Sequence, residues 1–261
     1  MTSRHGMSSP PPSSRHGRPG SRARACFALA SCQGSSTPFL SAHMPPPRST
    51  TRVRIHPLGD TALLAELGTR LDTALNTRAI ALAAALKKRR DVRQAVAGYA
   101  TVTVHFDPDQ TTHEALGSAI KRLATKRPPM EEPGRLHRIP VVYDGPDLES
   151  VAGALGLQPQ AVAEIHTRPI YRVFLVGFVP GWAYLGPLPE ELAMPRRDVP
   201  RTLVPAGSVA IAGRQTGIYP LATPGGWHLI GRTSVKLFLP DSDPPSLFRA
   251  GDRVKFFGVR P

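Results

Sequence analysis

Residues 195–233 read PRRDVPRTLVPAGSVAIAGRQTGIYPLATPGGWHLIGRT. Every apolar run in this stretch is cut short by Gly or Pro, and none shows the three-to-four-residue recurrence of a helix. The same texture extends outward, with apolar runs at residues 171–176, 208–212, 227–230, 235–239 and 254–257 separated by turn signals. Many short strands with dense turns predict a β-barrel or sandwich for this half of the chain. Two short helices are expected just before it, within residues 147–166, broken at Gly156-Leu157-Gln158 and with Pro159 as a first helical residue. The cluster GFVPGWAYLG, residues 177–186, reads as a rigid loop lining a pocket.

The opening block also carries chemistry. Its 39 residues hold five Arg, one acid and six Gly, and no Lys. Guanidinium groups make forked contacts to carboxylates and phosphates, and glycines let backbone N–H groups approach an anion closely. Arg196, Arg197, Arg201 and Arg232 are therefore candidate anion ligands, with Gln215 and Tyr219 adding amide and hydroxyl groups. Trp227 fits a barrel core. His228 can serve as a general acid or base or face solvent. The competing reading is that Gly and Pro only turn the corners of a barrel and the arginines are solvated; composition leaves both open.

Upstream, residues 52–56 and 61–67 read as two strands around the turn signal Pro57-Leu58-Gly59-Asp60. Leu71, Leu75, Ala79, Leu82 and Leu86 then form the apolar stripe of a helix. Its end, Lys87-Lys88-Arg89-Arg90, is better explained by the preference of cations for helix C-termini than by nucleic acid. Residues 101–106 alternate with period two and form a strand, with His105 at a polar position that makes it a solvent-facing or core-edge histidine and not a ligand. A second helix begins at a Thr111-x-x-Glu114 capping box and turns Leu116, Ile120 and Leu123 inward. Residues 135–143 make a further strand. The order β-β-α-β-α-β predicts a small ferredoxin-like α+β unit, with helices on one face of a mainly antiparallel sheet. A boundary near residues 127–147, after Pro128-Pro129, divides the chain into 51–135 and 136–261.

The chain has 261 residues and a formal net charge of +14. Six of the arginines, eleven Ser and eight Pro fall in residues 1–50, which contain no Lys, Asp or Glu. Such a segment cannot bury enough surface to offset chain entropy and is expected to be disordered. We favour a translation start at Met44 over a transit peptide, and the apolar stretch before Cys32 is too short for an export signal. Cys26 and Cys32 both lie here, so the remaining chain has no thiol for a disulfide, a zinc site or a nucleophile. No apolar run is long enough for a membrane helix, and the charge left after the tail and the Arg-rich block gives little reason to invoke nucleic acid. A cytoplasmic protein is expected.

The sequence lacks GxxxxGK[ST], a strand-linked GxGxxG, HExxH and GxSxG. A protein with this inventory would share any ATP chemistry with another subunit. The segments RVRIHPLGDTALLAEL (52–67), IHTRPIYRVFLVGFVPGWAYLG (165–186) and the block at 195–233 resemble the 5-oxoprolinase B-subunit family. That family also takes in a sporulation-kinase inhibitor and small subunits of the allophanate-hydrolase type. The resemblance runs from Thr51 to Val259.

It implies an α+β N-terminal domain followed by a cyclophilin-like β-barrel. It also implies a complex with a carboxyltransferase-like C subunit and a lactam-utilisation-type A subunit. The activity implied is ATP-dependent opening of 5-oxo-L-proline to L-glutamate, with ATP and Mg bound at the level of the complex and the chain inactive alone. Arg201, Gln215, Tyr219 and Arg232 would line the site, with Arg196 and Arg197 beside them and His228 near. No metal ligands of the chain's own are implied. The alternatives are a non-enzymatic kinase-inhibitor-type binding protein and a carboxyltransferase or allophanate-type subunit of urea or amide metabolism. The chain carries no biotin attachment motif.

Overall fold

The computed structural model describes residues 53–126 and 134–260. The tail of residues 1–50 with its two cysteines, and the Pro128-Pro129 breaker, lie outside the described residues. In chain order the strands are β1 (Arg54–Pro57), β2 (Ala62–Glu66), β3 (Val92–Ala97), β4 (Thr101–Phe106), β5 (Leu136–Val141), β6 (Tyr171–Val176), β7 (Ala183–Gly186), β8 (Arg201–Val204), β9 (Ser208–Ala212), β10 (Gln215–Ile218), β11 (Thr223–Gly225), β12 (His228–Arg232) and β13 (Arg253–Gly258). The helices are α1 (Thr73–Leu86), α2 (His113–Thr125), α3 (Leu148–Leu155) and α4 (Pro159–Thr167).

The first sheet has the order β1-β2-β4-β3, antiparallel throughout. The unit β2-α1-β3 leaves a gap that β4 fills, which is the ferredoxin-like arrangement. Here β1, preceding β2 in the chain, takes the edge that a strand following α2 would otherwise hold. Leu63 and Ala65 of β2, Val102, Val104 and Phe106 of β4, and Leu82, Leu86, Leu116 and Ile120 of the helices form its core. Asp72 caps α1, accepting from the Leu75 N–H at 2.9 Å. The cap of α2 is Thr112 and not the expected Thr111: its hydroxyl accepts from the Ala115 N–H at 3.2 Å, which leaves Glu114 in the first turn favouring the positive end of the helix. His105 is exposed, as its place in the alternation requires.

Two of the departures from expectation concern the first sheet. β3 has no counterpart among the expected strands. The strand at residues 135–143, expected with the first sheet, belongs to the second: β5 runs parallel to β13, from Arg253↔Leu136 to Gly258↔Val141.

The second sheet has the order β12-β9-β10-β7-β6-β13-β5. Just past β5, Val142 bridges Arg232 at the end of β12, with N–H···O distances of 2.9 and 2.8 Å in the two directions. That bridge joins the two outer strands and rolls the sheet into a nearly closed barrel. Every residue of β9 is buried, because both faces of this strand are covered. Val209 and Ile211 point into the barrel with Val173, Leu185, Ile230 and Phe256, where α3 and α4 add Val151, Val162 and Ile165. Ala210 and Ala212 face the other way, onto Trp182, Val204, Tyr219 and Trp227. The expected pocket loop at residues 177–186 is thus half strand, since Ala183–Gly186 is β7. Residues 235–239 do not form the expected strand. Only Phe238 makes a bridge, to Ser246, because the prolines at 240, 244 and 245 remove the N–H groups a ladder needs.

His166 on α4 is fully buried inside the barrel. The Thr216 hydroxyl donates to the Ala210 carbonyl at 3.0 Å, so it accepts from the His166 Nε2–H at 2.8 Å. Nδ1 is then the acceptor for the Tyr143 hydroxyl at 2.7 Å. The order of donors fixes a neutral imidazole.

Asn76 of α1 joins the two sheets. It is completely buried, with Nδ2 at 3.0, 3.2 and 2.9 Å from the carbonyl oxygens of Gly98, Tyr99 and Phe174, while Oδ1 accepts from Arg172 Nε at 3.0 Å. Two amide hydrogens serve three acceptors. Asn76→Leu strands these groups without water, and we expect it to cost about 2 kcal/mol, read as a lower urea midpoint at unchanged slope. A loss below about 0.5 kcal/mol would show that the carbonyls find other donors.

Candidate functional site

Asp147, the residue before α3, is buried at a point where the barrel strands meet the Arg-rich block. Its Oδ1 accepts from Arg201 Nη2 at 2.7 Å and Arg197 Nη1 at 3.0 Å; Oδ2 accepts from Arg201 Nη1 at 2.8 Å and the Leu229 N–H at 2.7 Å. Burial pushes this carboxyl up, but the hydrogen bonds from Arg201 and the Leu229 N–H and the two guanidinium charges outweigh it, and the group is held below the usual carboxylate range. All four strong acceptor directions of the carboxylate are in use. Arg201 and Arg197, read from the sequence as anion ligands, thus direct their forks to a carboxylate of their own chain.

The other candidates fall into separate places. Arg232 sits at the barrel seam, with its Nε at 3.1 and 2.9 Å from the two oxygens of Asp144 in an exposed pair. His228 Nε2 lies 2.9 Å from the Pro195 carbonyl, so that nitrogen carries a hydrogen and donates. Tyr219 is buried edge-on to Trp182, ring centroids 4.6 Å apart, and burial raises its phenol. Its hydroxyl occupies the space a side chain at Gly225 would need: a Cβ there would lie 2.1 Å from it. A glycine is required at that point of β11.

Arg196, Gln215 and Tyr219 border one aromatic array. Tyr99, in the turn between β3 and β4, packs against Phe174 at 6.1 Å and Tyr184 at 5.8 Å; Tyr184 continues to Trp182 at 5.6 Å and Trp227 at 6.0 Å. Arg196 is exposed, and its charge acts on the phenols of Tyr99, Tyr184 and Tyr219. Burial, only partly offset by the bond from Gln215, pushes the Tyr99 phenol up to about 12, so it keeps its proton at neutral pH. Gln215 Nε2 donates to the Tyr99 oxygen at 2.6 Å.

Beside this pair opens a cleft of about 580 Å³, lined from the first sheet by Glu66, residues 68–71 and residues 99–101, and from the barrel by Arg214 and Gln215. The volume suits a small organic molecule. Arg70 and Arg214 are exposed there, and neither has an ion-pair partner among the described residues. Glu66, the acid of the lining, is engaged by Arg54 and by His56, and the Arg54 hydrogen bond foremost holds it below its ordinary range. The arrangement can anchor an anion and donate a hydrogen bond beside it.

Sequence reasoning missed Asp147, Tyr99 and Arg70. For Asp147 the available signal was an acid standing directly before an apolar helix. Tyr99 offered an aromatic in a Gly-Tyr-Ala-Thr turn, where a hairpin ordinarily takes small residues.

A nearly closed barrel together with a ferredoxin-like sheet defines a recognised kind of domain. The family model for the carboxyltransferase domain, subdomain C and D, matches residues 53–248, and the chain belongs to this family. Its kin within the family are the B subunits of 5-oxoprolinase. It is 44% identical over 209 residues to the 5-oxoprolinase B subunit of Escherichia coli O157:H7, an alignment covering 78% of this chain and 95% of that relative. Among solved structures, TTHA0988 superposes with a TM-score of 0.69 at 39% identity, covering 77% of this chain; the chain spans 40% of TTHA0988. The urea amidolyase of K. lactis shares the fold, at a TM-score of 0.68 and 19% identity, over 82% of this chain and 15% of the enzyme. The resemblance read from the three sequence segments is thereby borne out.

Proposed function

We propose that this chain is the B subunit of an ATP-dependent 5-oxoprolinase, a hydrolase complex that opens 5-oxo-L-proline to L-glutamate. The observation that carries the reading is the alignment at 44% identity along 95% of the Escherichia coli protein. An unstrained lactam is a poor electrophile because its nitrogen lone pair is delocalised onto oxygen. Transfer of a phosphoryl group to that oxygen makes a leaving group and exposes the carbon to water. The charge that develops is on oxygen, where preorganised guanidinium and hydroxyl donors are most effective. We assign that role in this chain to the Tyr99 hydroxyl, with the Arg196 charge acting on it.

ATP with Mg belongs to the complex in this proposal. Among the described residues no three His, Cys, Asp or Glu side chains gather where they would hold a metal ion. The A and C subunits would complete the site, and the chain alone would not turn over. A cytoplasmic assembly fits this role; among the described residues no helix is long and apolar enough to cross a membrane.

Co-expression with candidate A and C subunits, followed by an assay of glutamate release from 5-oxo-L-proline with and without ATP, tests the reading. Release that requires ATP and all three chains is the expected result. A stable complex with a histidine kinase and no glutamate release would replace it with an inhibitor role.

A further inference from the structure

We infer that the cleft between the four-stranded sheet and the barrel is a binding site for a small carboxylic acid that also bears an amide or lactam carbonyl. In this site Arg214 and Arg70 anchor the carboxylate and Tyr99 donates to the carbonyl oxygen. Both arginines line the cleft, Arg70 from the loop before α1 and Arg214 from the turn between β9 and β10. Two guanidinium charges lining one cleft favour an anion there over a cation. Glu66 is the single acid in the lining and is already committed to Arg54 and His56.

The second element is the phenol. Because Gln215 donates to the Tyr99 oxygen at 2.6 Å, that oxygen is used as an acceptor, and its hydrogen has no acceptor among the described residues. Gln215 therefore acts as a positioning residue: it orients the Tyr99 O–H toward an acceptor that the protein does not supply. Leu71 and Ala100 give the cleft an apolar portion between these polar ends. A fixed neutral donor and an apolar wall beside two cations suit an organic acid better than inorganic phosphate, which would leave the wall unused. Naming 5-oxo-L-proline as the particular acid rests on the proposed function; the carboxylate site itself does not.

Full-length chain is titrated by calorimetry with 5-oxo-L-proline, L-glutamate and inorganic phosphate. We expect saturable binding of 5-oxo-L-proline, weakened about tenfold or more by Arg214→Ala and by Arg70→Ala, and partly restored by Arg214→Lys. Tyr99→Phe should weaken 5-oxo-L-proline and leave L-proline, titrated alongside and lacking the lactam carbonyl, unaffected. Each variant is checked for folding by an unchanged melting curve. Absence of saturable binding, binding indifferent to both arginine changes, or phosphate binding as tightly as the organic acids would each overturn the inference. In an assembled complex that releases glutamate, a raised KM at preserved kcat for Arg214→Ala supports the site, and an unchanged KM removes it while the proposed function stands. A complex that releases no glutamate, with Arg214-dependent binding of the lactam acid intact, removes the proposed function and leaves the site.

Discussion

Acidification from pH 6.5 toward pH 4 is expected to cost the fold about 1.4 kcal/mol per pH unit, with His166 as the source. Burial pushes this imidazole down to about 3. In the unfolded chain an ordinary histidine binds a proton below about pH 6.5. Between those two values the unfolded state holds one more proton than the native state. Stability is therefore full above pH 6.5 and is lost as the pH falls toward 3. A proton forced onto Nδ1 would displace the Tyr143 hydroxyl, its donor at 2.7 Å, and place a charge among Tyr171 and Phe256, whose rings lie 5.4 and 4.7 Å from the imidazole. Urea midpoints measured from pH 7 to pH 4.5 read the slope. His166→Gln keeps a donor and an acceptor without titrating, and should flatten it. An equal slope in this variant would assign the proton to another group.

Asp147→Ala is expected to lower stability by about 3 kcal/mol, the lower end of the cost of breaking a buried ion pair, because Arg201 and Arg197 keep some contact with water. The change leaves two guanidiniums and the Leu229 N–H facing an empty space, and it frees the entry to α3 from the block that carries β8 and β12. Asp147→Asn preserves the shape and one acceptor, and should cost about half as much. The wild-type carboxylate is held below its usual range, so its contribution is complete above about pH 4 and fades as the pH falls below that. The difference between wild type and Asp147→Asn should therefore shrink in strong acid. A difference that stays constant down to pH 3 would mean that the packing of the side chain, and not its charge, is what matters.

Much of the fold was legible because periodicity survives where one face of a strand is wet. The alternation of residues 101–106 gave β4 and the direction of His105 in one step. β3 escaped because Val92–Ala97 carries a register shift between Val92 and Gln94, so its buried residues, Val92 and Ala95, are three apart and not two or four. β7 and β10 escaped for another reason: strands covered on both faces and bordered by glycine look like loops when only turn residues are counted. The placing of β5 could not be read at all. A strand says nothing about a partner more than a hundred residues away.

The site was legible in kind and not in arrangement. Gly-rich, Arg-only composition pointed to an oxyanion or phosphate ligand, and Arg201 does grip a carboxylate with a bidentate fork. That carboxylate is Asp147, supplied by the chain itself. Composition cannot distinguish an internal partner from a ligand, because the guanidinium geometry is the same for both. Arg214 lies inside that same Gly-rich block and Arg70 far outside it, and neither has an ion-pair partner among the described residues. What separates them from Arg201 is the lack of an ion pair among the described residues, a property of three dimensions alone.

The position of β13 between β6 and β5 sets an order on assembly. The four-stranded sheet draws only on residues 54–106, and its hydrogen bonds can form while the barrel is still being synthesised. The barrel is different. β6 can pair with β7 as soon as that strand emerges, but its other edge, and the whole parallel ladder of β5, stay open until residues 253–258 arrive. A ribosome pausing before codon 253 would hold a chain with a finished first sheet and an unsealed second one, the stage at which such a protein most needs a chaperone.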